Sequence, residues 1–128
     1  MMTLEHRAFL KFIVVGVVNT AAGLATVIAA GRWLSANAYV ANAAGLAVGI
    51  VVGYQLNRLW TFRDSRDVAN APLRYLVVFA TAYAINLAIL ALALKSGLPA
   101  LIAQAAALAA YSLVFFLLCR AIVFPVAE

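Results

Sequence analysis

Lys11, Arg58, Arg74 and Arg120 are the residues of this 128-residue chain best suited to binding chemistry, because they recur in pairs. Leu10-Lys11-Phe12-Ile13-Val14-Val15 returns as Leu73-Arg74-Tyr75-Leu76-Val77-Val78, and Arg58-Leu59-Trp60-Thr61-Phe62 returns as Arg120-Ala121-Ile122-Val123-Phe124, an offset of about 62 to 63 residues. Four cations related by such pseudo-symmetry would ring one mouth of the protein. Two roles fit them. They can fix orientation and snorkel to headgroups, or they can cradle a phosphate, to which Arg offers a bidentate fork and Lys a point charge.

A second set is uncharged. Asn19, Asn42, Asn86 and Gln104, with Tyr83 and Tyr111, interrupt long apolar stretches, and Asn57 stands beside Arg58. In hydrocarbon each such group needs a partner. Two roles stay open, interhelical glue at roughly 0.5 to 2 kcal/mol per bond and contact with a polar substrate.

What is missing narrows the chemistry. The four acids are Glu5, Asp64, Asp67 and Glu128, all outside the apolar stretches. Exchange of a cation for protons would call for an intramembrane carboxylate. No acid-base pair and no metal-ligand cluster can be assembled, and the single histidine, His6, lies near the N-terminus. An enzyme, a metal and a cofactor are therefore not expected.

The elements that must carry these residues follow from composition. Hydrophobic residues make up 68% of the chain, charged residues 10%, and the mean hydropathy is +1.08, whereas soluble domains carry roughly 25% charged residues. Four apolar stretches, 12–31, 38–56, 75–94 and 98–119, each approach the ~20 residues that span a bilayer as helix. The expected fold is all-α integral membrane, with four transmembrane helices as two parallel two-helix repeats, about 10–62 and 73–124. The first stretch follows Arg7 and Lys11 as a secretory signal would, but it is longer than a signal core of about 7 to 15 residues and is expected to stay as a helix. One cysteine, Cys119, offers no intrachain disulfide.

Basic residues set the orientation. Arg7, Lys11, Arg58, Arg63, Arg66, Arg74 and Arg120 fall on one side of this arrangement, and Arg32 and Lys95 on the other. The bias places both termini and the loop of about 57–74 in the cytoplasm. Two spans per repeat make the repeats parallel, with a pseudo-two-fold axis along the membrane normal. The net charge of +5 then belongs to the inner membrane surface, and a nucleic-acid partner, which needs a water-exposed basic face, is excluded.

Small residues supply the packing surfaces. Gly45, Gly49 and Gly53 form two overlapping GxxxG motifs, and Asn42 and Asn57 extend the same helical face. In the first helix Gly16, Asn19, Thr20 and Gly23 share a face that can oppose it, while the matching face of the fourth helix is bulky, Gln104, Tyr111, Phe115 and Cys119. The glycine face either packs a helix or offers a smooth track to a lipid chain. So little interior and so many small-residue faces point to a homo-oligomer, most simply a two-fold dimer.

The segments 12–20, Ala41-Asn42 with Gly45 and Gly49, and above all Asn57-Arg58-Leu59-Trp60-Thr61-Phe62 resemble the GtrA family of small four-helix membrane proteins, as do Arg74-Tyr75 and Arg120 to Phe124. The resemblance covers residues 8 to 124 and implies one GtrA-like domain over 1–128. It implies a role in cell-surface polysaccharide synthesis, by flipping a polyprenyl-phosphate-linked monosaccharide across the cytoplasmic membrane. Asn57, Arg58, Trp60 and Phe62 match the family element. The second copy departs from it, with Cys119 in the Asn position and Ala121 and Ile122 in the aromatic stretch. Arg58, Arg120, Lys11 and Arg74 are then the expected phosphate ligands, and Asn19, Asn42, Asn57, Tyr83, Asn86, Gln104 and Tyr111 the expected polar lining for the sugar. Alternatives are a membrane anchor for a glycosyltransferase, which would then be a partner, and a small exporter of the multidrug type.

Overall fold

A computed structural model of the chain describes residues 3–35 and 38–127, without the side chains of residues 38, 39 and 42. The described residues are helical, with no strand and one isolated bridge, Ser65 with Val126. Helices α1 (Leu4–Trp33), α2 (Ala38–Leu56), α3 (Ala71–Lys95) and α4 (Ala100–Leu118) appear in that order. α2 runs on into a π-helical segment, Asn57–Thr61, and α4 into another, Cys119–Val123. Among the described residues, three helices are long and apolar enough to cross a membrane, Leu4–Trp33, Ala71–Lys95 and Ala100–Val123, and α2 adds a further apolar helix.

The ends of the helices have local causes. Thr3 caps α1 by accepting the His6 N–H on its hydroxyl at 3.2 Å, and Glu5 stands in the first turn, where the helix dipole favours an acid. Pro72 sits in the opening turn of α3, where its missing N–H costs nothing. α3 stops in a Schellman arrangement. Gly97, at φ 87°, takes the left-handed position, its N–H reaching Leu94 O at 3.1 Å and that of Leu98 reaching Ala93 O at 3.2 Å. Pro99 then caps α4.

The chain divides into two compact units, residues 1–63 and 64–128, and each repeats the other internally. In unit 1 the Phe12 and Phe62 rings lie 6.4 Å apart at 59°, and in unit 2 Tyr75 and Phe124, their repeat partners, lie 6.3 Å apart at 63°. Val15 and Val78 are both buried, as are Ala30 and Ala93, Ala41 and Ala103, Thr61 and Val123. The π-helical segments close alike. The Phe62 N–H reaches Asn57 O at 2.8 Å, and the Phe124 N–H reaches Cys119 O at 2.7 Å. Widening the last turn by one residue swings Phe62 and Phe124 off the helix surface and back onto the aromatic ring near the start of their own unit. Helix therefore runs to Thr61 and resumes at Ala71, so the connection read from sequence as 57–74 is irregular only over 62–70.

Unit 1 has a core of alanine, glycine, Val15 and the Phe12 and Phe62 rings, and unit 2 one of alanine, valine and aromatic rings, whereas Leu10, Val17, Leu24, Ile28, Leu101 and Leu108 point outward. That inversion is the mark of helices packed by close approach, with long aliphatic side chains left for lipid. Fit of this kind appears where α1 meets α2. A Cβ placed on Gly45 would lie 2.7 Å from Gly23 O and 2.5 Å from Val27 Cγ2, and one placed on Gly49 would lie 3.0 Å from Asn19 Oδ1. Gly53 is buried on the same helix. The face of α1 that meets the glycines is thus Asn19, Gly23 and Val27. Gly16 and Thr20, expected on that face, stand away from it. Nothing lies within 4 Å of a Cβ on Gly16, and the exposed Thr20 returns its hydroxyl to Gly16 O at 2.8 Å.

Candidate functional site

The basic residues gather on the π-helical end of each unit. In unit 1, Lys11 Nζ sits 5.4 Å from the centroid of the Trp60 ring, within cation–π range. In unit 2, Arg74, the repeat equivalent of Lys11, donates Nη1–H to the carbonyl of Ile122 at 3.2 Å, and Ile122 is the equivalent of Trp60. Both first-helix cations therefore reach the same position of the closing segment by different chemistry. Lys11 uses the ring face, and Arg74 uses a carbonyl of the last turn, which the end of the helix leaves without an intrahelical donor.

Arg58 and Arg120 occupy equivalent positions and differ sharply. Arg58 is exposed on the first π-helical segment. Arg120 is 12% exposed and gives both guanidinium nitrogens to Asp64, Nη1 to Oδ1 and Nη2 to Oδ2, each at 2.9 Å. A carboxylate thus already fills the bidentate fork that would suit a phosphate. Asp64 is 46% exposed and anchors a short ribbon, in which Ala127 N–H reaches Asp64 O at 2.9 Å and Arg66 N–H reaches Pro125 O at 2.8 Å. The clamp therefore ties residues 64–66 to residues 125–127.

The polar residues divide by neighbourhood. Asn57 is buried at the head of the first π-helical segment and Thr61 at its end, where its hydroxyl makes no hydrogen bond among the described residues. Asn19 is half-buried against Gly49, in the α1–α2 packing. The side chain of Asn42 lies outside the described residues. Tyr83 and Tyr111 are brought together through Phe79. The Tyr83 ring stacks on Phe79 at 6.1 Å and 7°, and Tyr111 meets Phe79 edge-on at 6.4 Å and 89°. Asn86 is half-buried on α3 and Gln104 exposed on α4.

Two residues escaped the sequence reading. Asp64 stands 56 positions from Arg120, and nothing in a single sequence joins them. Phe79 was legible in hindsight, since Tyr75, Phe79 and Tyr83 follow at four-residue steps on one helical face.

Helix pairs with small-residue cores, lipid-type exteriors and a cationic end define the chain as a multi-pass helical membrane protein with an internal duplication. A family model described as GtrA/DPMS, transmembrane domain, matches residues 11–124, and the chain belongs to that family. Membership ties it to lipid-linked sugar processes in glycosylation. No curated protein matches it.

Proposed function

We propose that the protein flips a polyprenyl-phosphate-linked monosaccharide across the cytoplasmic membrane, for glycosylation of cell-surface polysaccharide. The observation that carries this reading is the basic end of each unit, in which Lys11 on Trp60 and Arg74 on the Ile122 carbonyl hold cations at equivalent positions, with the exposed Arg58 added in the first. α2 is a fourth span in this account. Both termini and the basic ends face the cytoplasm, where the charge bias favours them and where a sugar charged onto a lipid phosphate is presented.

A sugar phosphate loses hydration for its charge and its hydroxyls on entering hydrocarbon, which costs many kcal/mol. Cations at the inner boundary offset the first loss and intramembrane hydrogen-bonding groups the second, while the prenyl tail stays in lipid. No intramembrane carboxylate is available to couple protons to the step, so the direction of net transport follows consumption of the sugar on the far side.

Reconstituted vesicles carrying Arg58→Lys and Arg58→Gln test the phosphate role. Lysine keeps the charge that orients the chain but not the forked guanidinium. The expected loss for Arg58→Lys is about 1 to 3 kcal/mol of substrate stabilisation at unchanged abundance and orientation, the range for a charged hydrogen bond made poorly. Normal transport by both variants would remove Arg58 from the site.

A further inference from the structure

Unit 2 carries a stripe of rings and amides that unit 1 lacks. On α3, Phe79, Tyr83 and Asn86 share one face, and on α4 so do Gln104 and Tyr111. The ring pairs Tyr75–Phe115 and Phe79–Tyr111 stand in one antiparallel register. Seven residues further along α3 and seven back along α4, the same register brings Asn86 level with Gln104. The repeat positions in unit 1 are Gly16, Thr20, Gly23, Asn42 and Gly49, none of them aromatic.

Packing accounts for Tyr75 and Phe115, which are buried. It does not account for Tyr83, whose ring is 50% exposed near the middle of α3. Among the described residues, neither the Tyr83 nor the Tyr111 hydroxyl makes a hydrogen bond within the unit, and neither does the Asn86 or Gln104 amide. Nearby polar groups of α3 behave otherwise. Thr81 gives its hydroxyl to Val77 O at 2.9 Å and Ser96 to Leu92 O at 2.8 Å, so both are satisfied by their own helix. Four unsatisfied polar groups beside a flat pair of rings, inside a membrane span, are costly unless something from outside the unit completes them.

The chemistry selects the occupant. A prenyl chain would use the rings and leave the polar groups unmet. A phosphate would seek cations, and the stripe has none. A pyranose has a flat apolar C–H face and a rim of hydroxyls, which match the two rings and the four polar groups. We propose that the exposed Tyr83 ring, backed by Phe79, forms the stacking floor of a sugar subsite held by unit 2, with Tyr111, Asn86 and Gln104 hydrogen-bonding the sugar hydroxyls. This rests on the lipid-linked-sugar reading above and adds that the sugar is recognised by the second repeat, since the first carries Gly16 and Thr20 where the second has Phe79 and Tyr83.

The test is equilibrium binding to the full chain in lipid nanodiscs of two probes, polyprenyl phosphate and the same lipid phosphate bearing one hexose. Wild-type protein should favour the hexosylated probe. Tyr83→Leu, without ring or hydroxyl, should weaken that probe by about tenfold, an ordinary step in affinity, and leave the bare lipid phosphate unchanged. Tyr83→Phe keeps the ring and should retain part of the preference with wild-type thermal stability, which guards against misfolding. If neither probe binds wild-type protein, the carrier reading itself falls, and the subsite with it. If both probes bind but the Tyr83 variants alter neither, or both equally, the subsite is overturned while the carrier reading survives. A change in oligomeric state with the hexose preference intact would make the stripe an interface between copies and would equally overturn the proposal.

Discussion

Gly45→Ala should destabilise the protein, while Gly16→Ala, the same chemical change on the partner helix, should not. The new methyl on Gly45 would lie 2.7 Å from the backbone oxygen of Gly23 and 2.5 Å from Val27 Cγ2. Val27 can rotate aside, but the carbonyl belongs to α1 and moves only with the helix. Overpacking of this sort costs about 1 to 3 kcal/mol, against a gain of about 1 kcal/mol in helix propensity on replacing glycine. A net loss of up to about 2 kcal/mol follows from those two principles. At Gly16 a methyl meets nothing within 4 Å, so only the propensity gain remains. Gly49→Ala falls between them, because its contact at 3.0 Å is the end of the Asn19 side chain. Unfolding of the four proteins in mixed micelles, followed by circular dichroism, gives the ranking directly. Equal stability of Gly45→Ala and Gly16→Ala would mean that α1 and α2 do not approach at Gly23 and Gly45, and the packing argument for unit 1 would fail.

Other consequences can be checked separately. Gly49→Leu, which must displace both Asn19 and its backbone, should cost on the order of a few kcal/mol and reduce folded protein in membranes; full thermal stability would place that face in lipid. Asp64→Asn should loosen the ribbon of residues 64–66 and 125–127, speeding tryptic cleavage after Arg66, with a modest stability cost of about 1 kcal/mol because Asp64 is half-exposed; unchanged cleavage would show that the clamp does not hold the ribbon. Tags at the N- and C-termini should both be protected from an impermeant reagent in intact cells, and labelling of one end alone would destroy the parallel-repeat arrangement. Cross-linking at native density should give a homodimer, and monomer alone would count against it.

Much of the helix-pair geometry could be read from residue types because it depends on local rules. Gly97 and Pro99 mark the end of α3 and the start of α4, and glycines at four-residue spacing mark the face on which α1 lies. The opposing face was half legible. Asn19 and Gly23 meet the glycines, but Val27 joins them where Gly16 and Thr20 were expected, since only the observed register shows where along α1 the crossing falls. The π-helical windings at Asn57 and Cys119 left no trace in propensity. They accompany the seating of Phe62 and Phe124 against Phe12 and Tyr75, tertiary contacts that propensity does not record. The Arg120–Asp64 clamp was hidden for a similar reason, as Asp64 reads as a loop acid until the chain returns beside it. Equivalence in sequence therefore overstated the likeness of Arg58 and Arg120, one exposed and the other largely covered.

A leaflet-specific assay measures lipid-linked sugar translocation itself. Purified protein would be reconstituted in liposomes with a labelled polyprenyl-phosphate hexose, and the label accessible from outside measured against time. The expected result is exchange of the lipid between leaflets well above protein-free liposomes, slowed by Arg58→Lys. Exchange no faster than in protein-free liposomes, with correctly folded and oriented protein, would contradict the account and leave a membrane anchor for a glycosyltransferase as the better reading.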